Sequence, residues 1–353
     1  MPRLFRHCCW KMGRTAGWSS FAVGWLLAIT LSSCNSNDPG NHQATEPIPV
    51  QAGQFGTATL SFNNGGVCYP IDRKEAAPVV FFMEGWRFNE NVPAVTKRYR
   101  TLIQSIASHG YTVIYTRDRN LLNPYEYAYE LFDIAIAFDE IAIDKTRLGF
   151  IGHSSGGGHV FSIALSFLDT QPSEYQWGTN GSFIFSMAPW FAYKASRNGD
   201  NNARLSMQPG DFQVFSQFGT NLVIQEYQED FETDPRIPIT LQKMIAAKVG
   251  LSHRDFQILP GNHYIMADYE GPENLKTPNS INKMQAVLKP LHALMRYSFK
   301  HDGSAWDIAL NQGTDKPDTH FRKSPFSADD YEYLCDDPNS KPVDLDYCSS
   351  GSK

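Results

Sequence analysis

Arg147-Leu148-Gly149-Phe150-Ile151-Gly152-His153-Ser154-Ser155-Gly156-Gly157-Gly158 is the stretch that decides the fold of this 353-residue chain. An apolar run of strand character breaks at Gly152 into Gly-x-Ser-x-Gly and passes directly into a helical stretch, HVFSIALSFL from His159 to Leu168. A serine hydroxyl is a weak nucleophile, and a strained turn between strand and helix holds it clear of the sheet edge, where a base can take its proton. Small residues at Gly152 and Gly156 leave room for such a turn. The five-residue pattern alone is unspecific. A strand before it, a helix after it and suitable partners downstream make Ser154 the candidate nucleophile.

Outward from this turn, from about residue 56 to 300, short runs rich in β-branched and aromatic residues alternate with longer segments of helical period. That order predicts an α/β fold: a mostly parallel sheet of about eight strands with helices on both faces. The strands are expected at Thr57–Phe62, Val67–Ile71, Val79–Met83, Tyr111–Thr116, Leu148–Gly152, Phe183–Met187, Leu222–Tyr227 and Phe256–Leu259, the first two paired antiparallel. Helices are expected at Ala94–Ser108, Tyr125–Ile143, Ser155–Phe167, Thr240–Val249 and Asn282–Lys300. From 303 to 353, Asp, Pro, Ser and Tyr displace aliphatic periodicity, which reads as an irregular C-terminal extension. The segment from Trp190 to Gly219 is expected to cap the site.

A serine on this turn needs a base and an acid, in the chain order serine, acid, histidine. His263 follows the last expected strand in the loop Pro260-Gly261-Asn262-His263-Tyr264, which makes it the candidate base. His153 and His159 flank the turn itself and read as packing or capping groups. Beyond the strand Leu222–Tyr227 the chain reads Gln228-Glu229-Asp230-Phe231-Glu232-Thr233-Asp234-Pro235, where four carboxylates compete. Asp230 fits best the spacing from strand end to acid; Glu229 and Asp234 remain open. The carboxylate's task is to accept from imidazole Nδ1, which leaves Nε2 to act on the serine. Two backbone donors for an oxyanion complete the set: the N–H of Ser155, directly after the nucleophile, and that of Trp86, in the loop Met83-Glu84-Gly85-Trp86-Arg87.

The runs PVVFFMEGW, SIASHGYTVIYTRD and LGFIGHSSGGG, between Ala77 and Gly158, resemble α/β-hydrolases of the dienelactone hydrolase, chlorophyllase and cutinase-like polyester hydrolase branch. The likeness extends over roughly residues 56 to 300. It implies the α/β-hydrolase fold and a Ser-Asp-His esterase, with Ser154, Asp230 and His263 as the triad, Ser155 and Trp86 as the oxyanion hole, and no metal or organic cofactor. Two departures stand out. Glu84 occupies a position where many relatives carry His or Pro, and a carboxylate there opposes developing negative charge unless paired, with Arg87 or Arg117 as the nearby cations. The acid loop also lacks the glycine that commonly precedes the family's aspartate.

Residues 1 to 33 form a leader: Arg3, Arg6, Lys11 and Arg14 with no acid, then the apolar run Phe21–Leu31, too short to span a bilayer comfortably. Leu31-Ser32-Ser33-Cys34 resembles the lipobox of bacterial lipoproteins, which implies a lipidated Cys34; Asn35 in place of Asp implies the outer membrane. Residues 34 to 55 are polar and aperiodic, a tether to the body at 56 to 302. Cys335 and Cys348 flank an acidic Pro-containing loop and are the expected disulfide, with Cys68 to either as the alternative. The leader holds four of the 31 bases and no acid, leaving 27 against 37, a net of −10 that argues against a nucleic-acid partner. No cysteine spacing suggests zinc. The partners expected are a small-molecule, lipid or polymer ester and, through the anchor, a membrane. A serine peptidase or amidase and a non-catalytic surface lipoprotein are the alternative readings.

Overall fold

A computed structural model describes residues 32–33, 53–62, 65–85, 99–116, 124–169, 175–190, 193–194, 205–207, 209–230, 232–233, 235–263 and 279–313. Eight strands of five or more residues run through them: β1 Thr57–Phe62, β2 Gly65–Pro70, β3 Ala77–Met83, β4 Thr112–Thr116, β5 Ile143–His153, β6 Ser182–Met187, β7 Asn221–Tyr227 and β8 Arg254–Leu259, with a separate short antiparallel pair, Tyr193–Lys194 and Leu205–Ser206. The eight lie side by side in the order β1-β2-β4-β3-β5-β6-β7-β8, and the two-residue stub Ser32–Ser33 is added antiparallel at the β1 edge. β1 pairs antiparallel with β2, and β2 with β4; every other neighbouring pair is parallel.

The central strands are apolar on both faces, as parallel strands covered by helices on either side must be. β3 is buried along its whole length. Its alternate residues serve two cores. Val79, Phe81 and Met83 join Phe132, Phe150, Phe161, Phe167 and Trp177 on one face. Val80 and Phe82 join Ile151, Phe183 and Phe185 on the other. The first face is covered by helices α2 (Pro124–Ile136), α3 (Ser155–Asp169) and α5 (Arg236–Ala246), the short α4 (Gln213–Gln217) lying between them in the chain. The second is covered by α1 (Arg100–Ser108) and α6 (Asn279–Lys300). Strand order, the turn after β5 and the chain order of the site residues make this the α/β-hydrolase fold.

Three expectations are corrected. The helix expected over Tyr125–Ile143 ends at Ile136; a turn follows, and Ile143 opens β5, paired with Ala77. The apolar residues Ile141 and Ile143 continue the helical period by coincidence, because one belongs to the turn and the other to the strand. The helix expected at Thr240–Val249 runs instead over Arg236–Ala246, since Pro238 stands in its first turn, where a missing N–H costs nothing. The extension from 303 begins with order: Gly303–Ala305 form a 3₁₀ turn and Trp306–Leu310 the helix α7, with Ala305, Ala309 and Leu310 buried. Gln312 N donates to Asp255 Oδ2 at 3.1 Å, which fastens this segment to β8. Cys335 and Cys348 lie outside the described residues; Cys68 is buried.

Candidate active site

β5 ends at His153 and α3 begins at Ser155, so Ser154 is the only residue between strand and helix. Its φ is +55°, in the left-handed region that costs a non-glycine residue roughly 1–3 kcal/mol and persists only where surroundings over-determine it. Here the surroundings are backbone bonds. Ser154 N donates to Met187 O at 2.9 Å, and Ser154 O accepts from Trp190 N at 2.9 Å and Gly158 N at 3.2 Å. The chain after β6 is thereby locked to the turn. Ser154 is half-buried, whereas Gly152, His153 and Gly156 beside it are buried.

The glycines permit close approach rather than flexibility. A Cβ on Gly156 would lie 2.3 Å from Met83 O and 2.5 Å from Glu84 O, so only a hydrogen lets the first turn of α3 meet the end of β3. A Cβ on Gly85 would lie 2.9 Å from the Cβ of Ser154, which puts the start of the expected oxyanion loop directly on the serine. Trp86, Arg87 and Arg117 lie outside the described residues. Ser155 opens α3, at the helix end whose amides carry partial positive charge. Glu84 is buried at the rim of this region.

Two loops bring the remaining groups together. After β7 and β8 the chain is cross-tied, Gln228 N to Leu259 O at 3.0 Å and Glu229 N to Gly261 O at 2.8 Å. The tie carries Asp230 to His263. His263 Nδ1–H donates to Asp230 Oδ2 at 2.7 Å, with both side chains buried. Asp230 Oδ2 also accepts from Thr233 Oγ1 at 2.9 Å, and Oδ1 from the amides of Glu232 and Thr233 at 2.8 and 3.0 Å. Burial pushes the Asp230 carboxyl upward. The hydrogen bond and charge of His263 and the two amides outweigh it, so the acid is held below its ordinary range. Glu229, the neighbouring alternative, is exposed; Asp234 lies outside the described residues.

His153, the residue before Ser154, touches the candidate base. The His153 and His263 rings stand 4.4 Å apart, tilted by 47°. His153, read from sequence as a packing or capping group, is hydrogen-bonded through Nδ1 to Tyr99 Oη at 2.8 Å. His159 is buried on α3. Sequence reasoning did not single out Tyr99 or Thr233. Thr233 had a local signal, an Asp with a Thr three residues on, the spacing of a side-chain-capped turn. Tyr99 had none, standing 54 residues before His153.

Chemically, the arrangement offers a hydroxyl on a strained turn, an imidazole whose Nδ1 is held by a charged carboxylate, and a helix N-terminus beside the hydroxyl. Such a set can support acyl transfer.

No family model and no curated protein matches the chain. Among solved structures it is similar to an acylaminoacyl peptidase in complex with Z-Gly-Gly-Phe-chloromethyl ketone, at 13% identity and a TM-score of 0.42, over 70% of this chain and 42% of that one. Est1E from Butyrivibrio proteoclasticus is 12% identical with a TM-score of 0.40, over 68% of this chain and 99% of that one. The S-formylglutathione hydrolase FrmB from Staphylococcus aureus, as apoenzyme, is 14% identical with a TM-score of 0.42, over 69% and 94%. The chain spans less than half the length of the peptidase.

Proposed function

We propose that the protein is a serine hydrolase that cleaves carboxylic esters through an acyl-enzyme on Ser154. The observation that carries this reading is the 2.7 Å bond from His263 Nδ1–H to Asp230, with the His263 ring 4.4 Å from that of His153, the residue before a serine held at φ +55° between β5 and α3. With Nδ1 donating to the carboxylate, the remaining nitrogen, Nε2, is the basic one. In the proposed reaction Ser154 Oγ attacks the acyl carbon while His263 Nε2 takes the hydroxyl proton. Asp230 stabilises the imidazolium. The tetrahedral oxyanion is met by the N–H of Ser155 and, in this proposal, of Trp86. Collapse expels the alcohol, which leaves with the proton from Nε2. Water, deprotonated by the same nitrogen, then hydrolyses the acyl-enzyme to acid and free serine. No metal or organic cofactor enters these steps.

The substrate class in this reading is a small-molecule, lipid or polymer ester. Its setting is the cell envelope: leader 1–33 removed, Cys34 lipidated, residues 34–55 as tether, 56–302 as catalytic body and 303–353 as extension, with Cys335 and Cys348 joined and the anchor in the outer membrane. The Leu31-Ser32-Ser33-Cys34 motif after an apolar run of eleven residues, Phe21–Leu31, supports this placement.

Fluorophosphonate labelling of the purified protein, with the modified peptide located by mass spectrometry, tests the chemistry. A single adduct on Ser154, absent in His263→Ala, is expected, together with turnover of 4-nitrophenyl esters. Absence of any adduct in folded protein would favour a binding scaffold instead, and faster turnover of amides than of esters would reassign the enzyme as a peptidase or amidase.

A further inference from the structure

Building on the hydrolase reading above, we infer that His153, held by Tyr99, is a positioning residue that fixes the plane of the His263 imidazole. The need for such a residue follows from geometry. The bond along the Nδ1–H···Oδ2 line fixes by itself only that edge of the ring, and rolling about the line would sweep Nε2 through an arc, so the plane of the ring depends on what packs against it. A transfer that depends on near-attack geometry loses rate when the acceptor wanders by an ångström. A surface against the face of the ring removes this freedom.

His153 supplies that surface. Its ring stands 4.4 Å from that of His263, in contact and tilted, and it is 2% exposed. It follows Gly152 as the last residue of β5, where its backbone pairs in register with Met187 of β6. Its own ring is fixed in turn. Nδ1 is bonded to Tyr99 Oη at 2.8 Å, and Tyr99, 1% exposed before α1, packs edge-on against Phe82 of β3 at 4.8 Å. The chain of support runs from core aromatic to hydroxyl to His153 to His263. The same imidazole underlies the serine loop: a Cβ built on Gly85 would come within 3.3 Å of His153 Nδ1 as well as 2.9 Å of Ser154 Cβ. Nucleophile, base and the loop beside them thus rest on one ring.

A ring that merely filled space would tolerate loss of the Tyr99 hydroxyl, since Phe keeps the packing. A positioning ring would not. The test compares wild type, Tyr99→Phe and His153→Phe in the whole protein by two readouts. The first is the low-field proton resonance of the His263–Asp230 bond, identified by its absence in His263→Ala, which is observable without any substrate. The second is turnover of 4-nitrophenyl acetate. Expected is a resonance sharp in wild type but broadened and faster-exchanging in both variants, with kcat lowered about ten- to a hundredfold and KM within about twofold. An unchanged resonance in both folded variants, with kcat at the wild-type value, would overturn the inference. If wild type hydrolyses no ester and takes no fluorophosphonate, the esterase reading fails, while the resonance comparison still decides whether His153 positions His263.

Discussion

His263 Nδ1 and Asp230 Oδ2 lie 2.7 Å apart because two backbone bonds, Gln228 N to Leu259 O and Glu229 N to Gly261 O, splice the loops after β7 and β8. The carboxylate is not merely near the imidazole. It is saturated, taking one hydroxyl and two amide donors besides the ring, and is therefore charged and immobile when the ring needs a counter-ion.

This predicts which acid matters. Asp230→Asn, which keeps shape but reverses the hydrogen-bonding requirement on Nδ1, is expected to lower kcat for 4-nitrophenyl esters by about 10³–10⁴. Glu229→Gln, at an exposed carboxylate, and Asp234→Asn are expected to retain it within about threefold, since the proposed triad uses neither. Steady-state kinetics on the three variants checks the assignment; a large loss in either of the latter would move the acid role to that residue.

The left-handed backbone at Ser154 predicts a trade between activity and stability. Ser154→Gly and Ser154→Ala both remove the proposed nucleophile, but only glycine occupies φ +55° without steric cost. Ser154→Gly is expected to exceed Ser154→Ala in unfolding free energy by about 1 kcal/mol. Equal midpoints in denaturant would show that the turn stores no strain.

The α1–α6 seam predicts an acid-sensitive stability. His292 and His109 rings lie 3.9 Å apart, and His292 Nε2 is bonded to Ser105 Oγ at 2.9 Å. Burial first, and His109 second, push His292 down to about 3; His109 is also lowered, by burial and Lys300 against the opposing bond to Ser105 O. Because the unfolded chain binds protons near pH 6.5 and the folded seam does not, stability falls as pH drops from about 6.5 toward about 3. His292→Gln, able to keep the Ser105 contact without titrating, is expected to flatten this slope. Thermal melts from pH 8 to pH 4 that show parallel slopes would refute it.

Asp230 contributes with its own sign. Its folded value is lowered, so the stability it confers is present above the ordinary carboxylate range and is lost as pH falls through that lower value. Thr233→Val removes one of its donors and is expected to weaken acid resistance, measured as a rise in the pH midpoint of acid unfolding. An unchanged midpoint would assign the hydroxyl no share.

The proposed envelope placement predicts a covalent lipid. Metabolic palmitate labelling of the protein in a bacterial host is expected to disappear in Cys34→Ser, with the protein released from the membrane fraction. Label persisting in that variant would overturn the anchor.

Much of this molecule is legible in local pattern. Each of the eight long strands overlaps a short β-branched and aromatic run, the central ones because a strand covered on both faces must be apolar, although β5 begins five residues before its expected start, through the polar stretch Asp144–Arg147. The turn at Ser154 is legible because strand, glycine-flanked serine and helix are contiguous. Periodicity misled where two elements abut: apolar residues on either side of Asp139-Glu140 extended α2 on paper, while the chain turned and Ile143 took its place against Ala77 in β5.

Sequence alone determined the element order, the strained serine and the short list of acids and bases, all of which depend on neighbours a few residues apart. Only tertiary structure decided that β3 lies between β4 and β5, that Asp230 rather than Glu229 meets a histidine 33 residues away, and that Tyr99 and His153 stand behind it. Those choices depend on which strands pair and which loops are spliced. Contacts between distant segments are set by packing of the whole sheet and leave no local pattern to read.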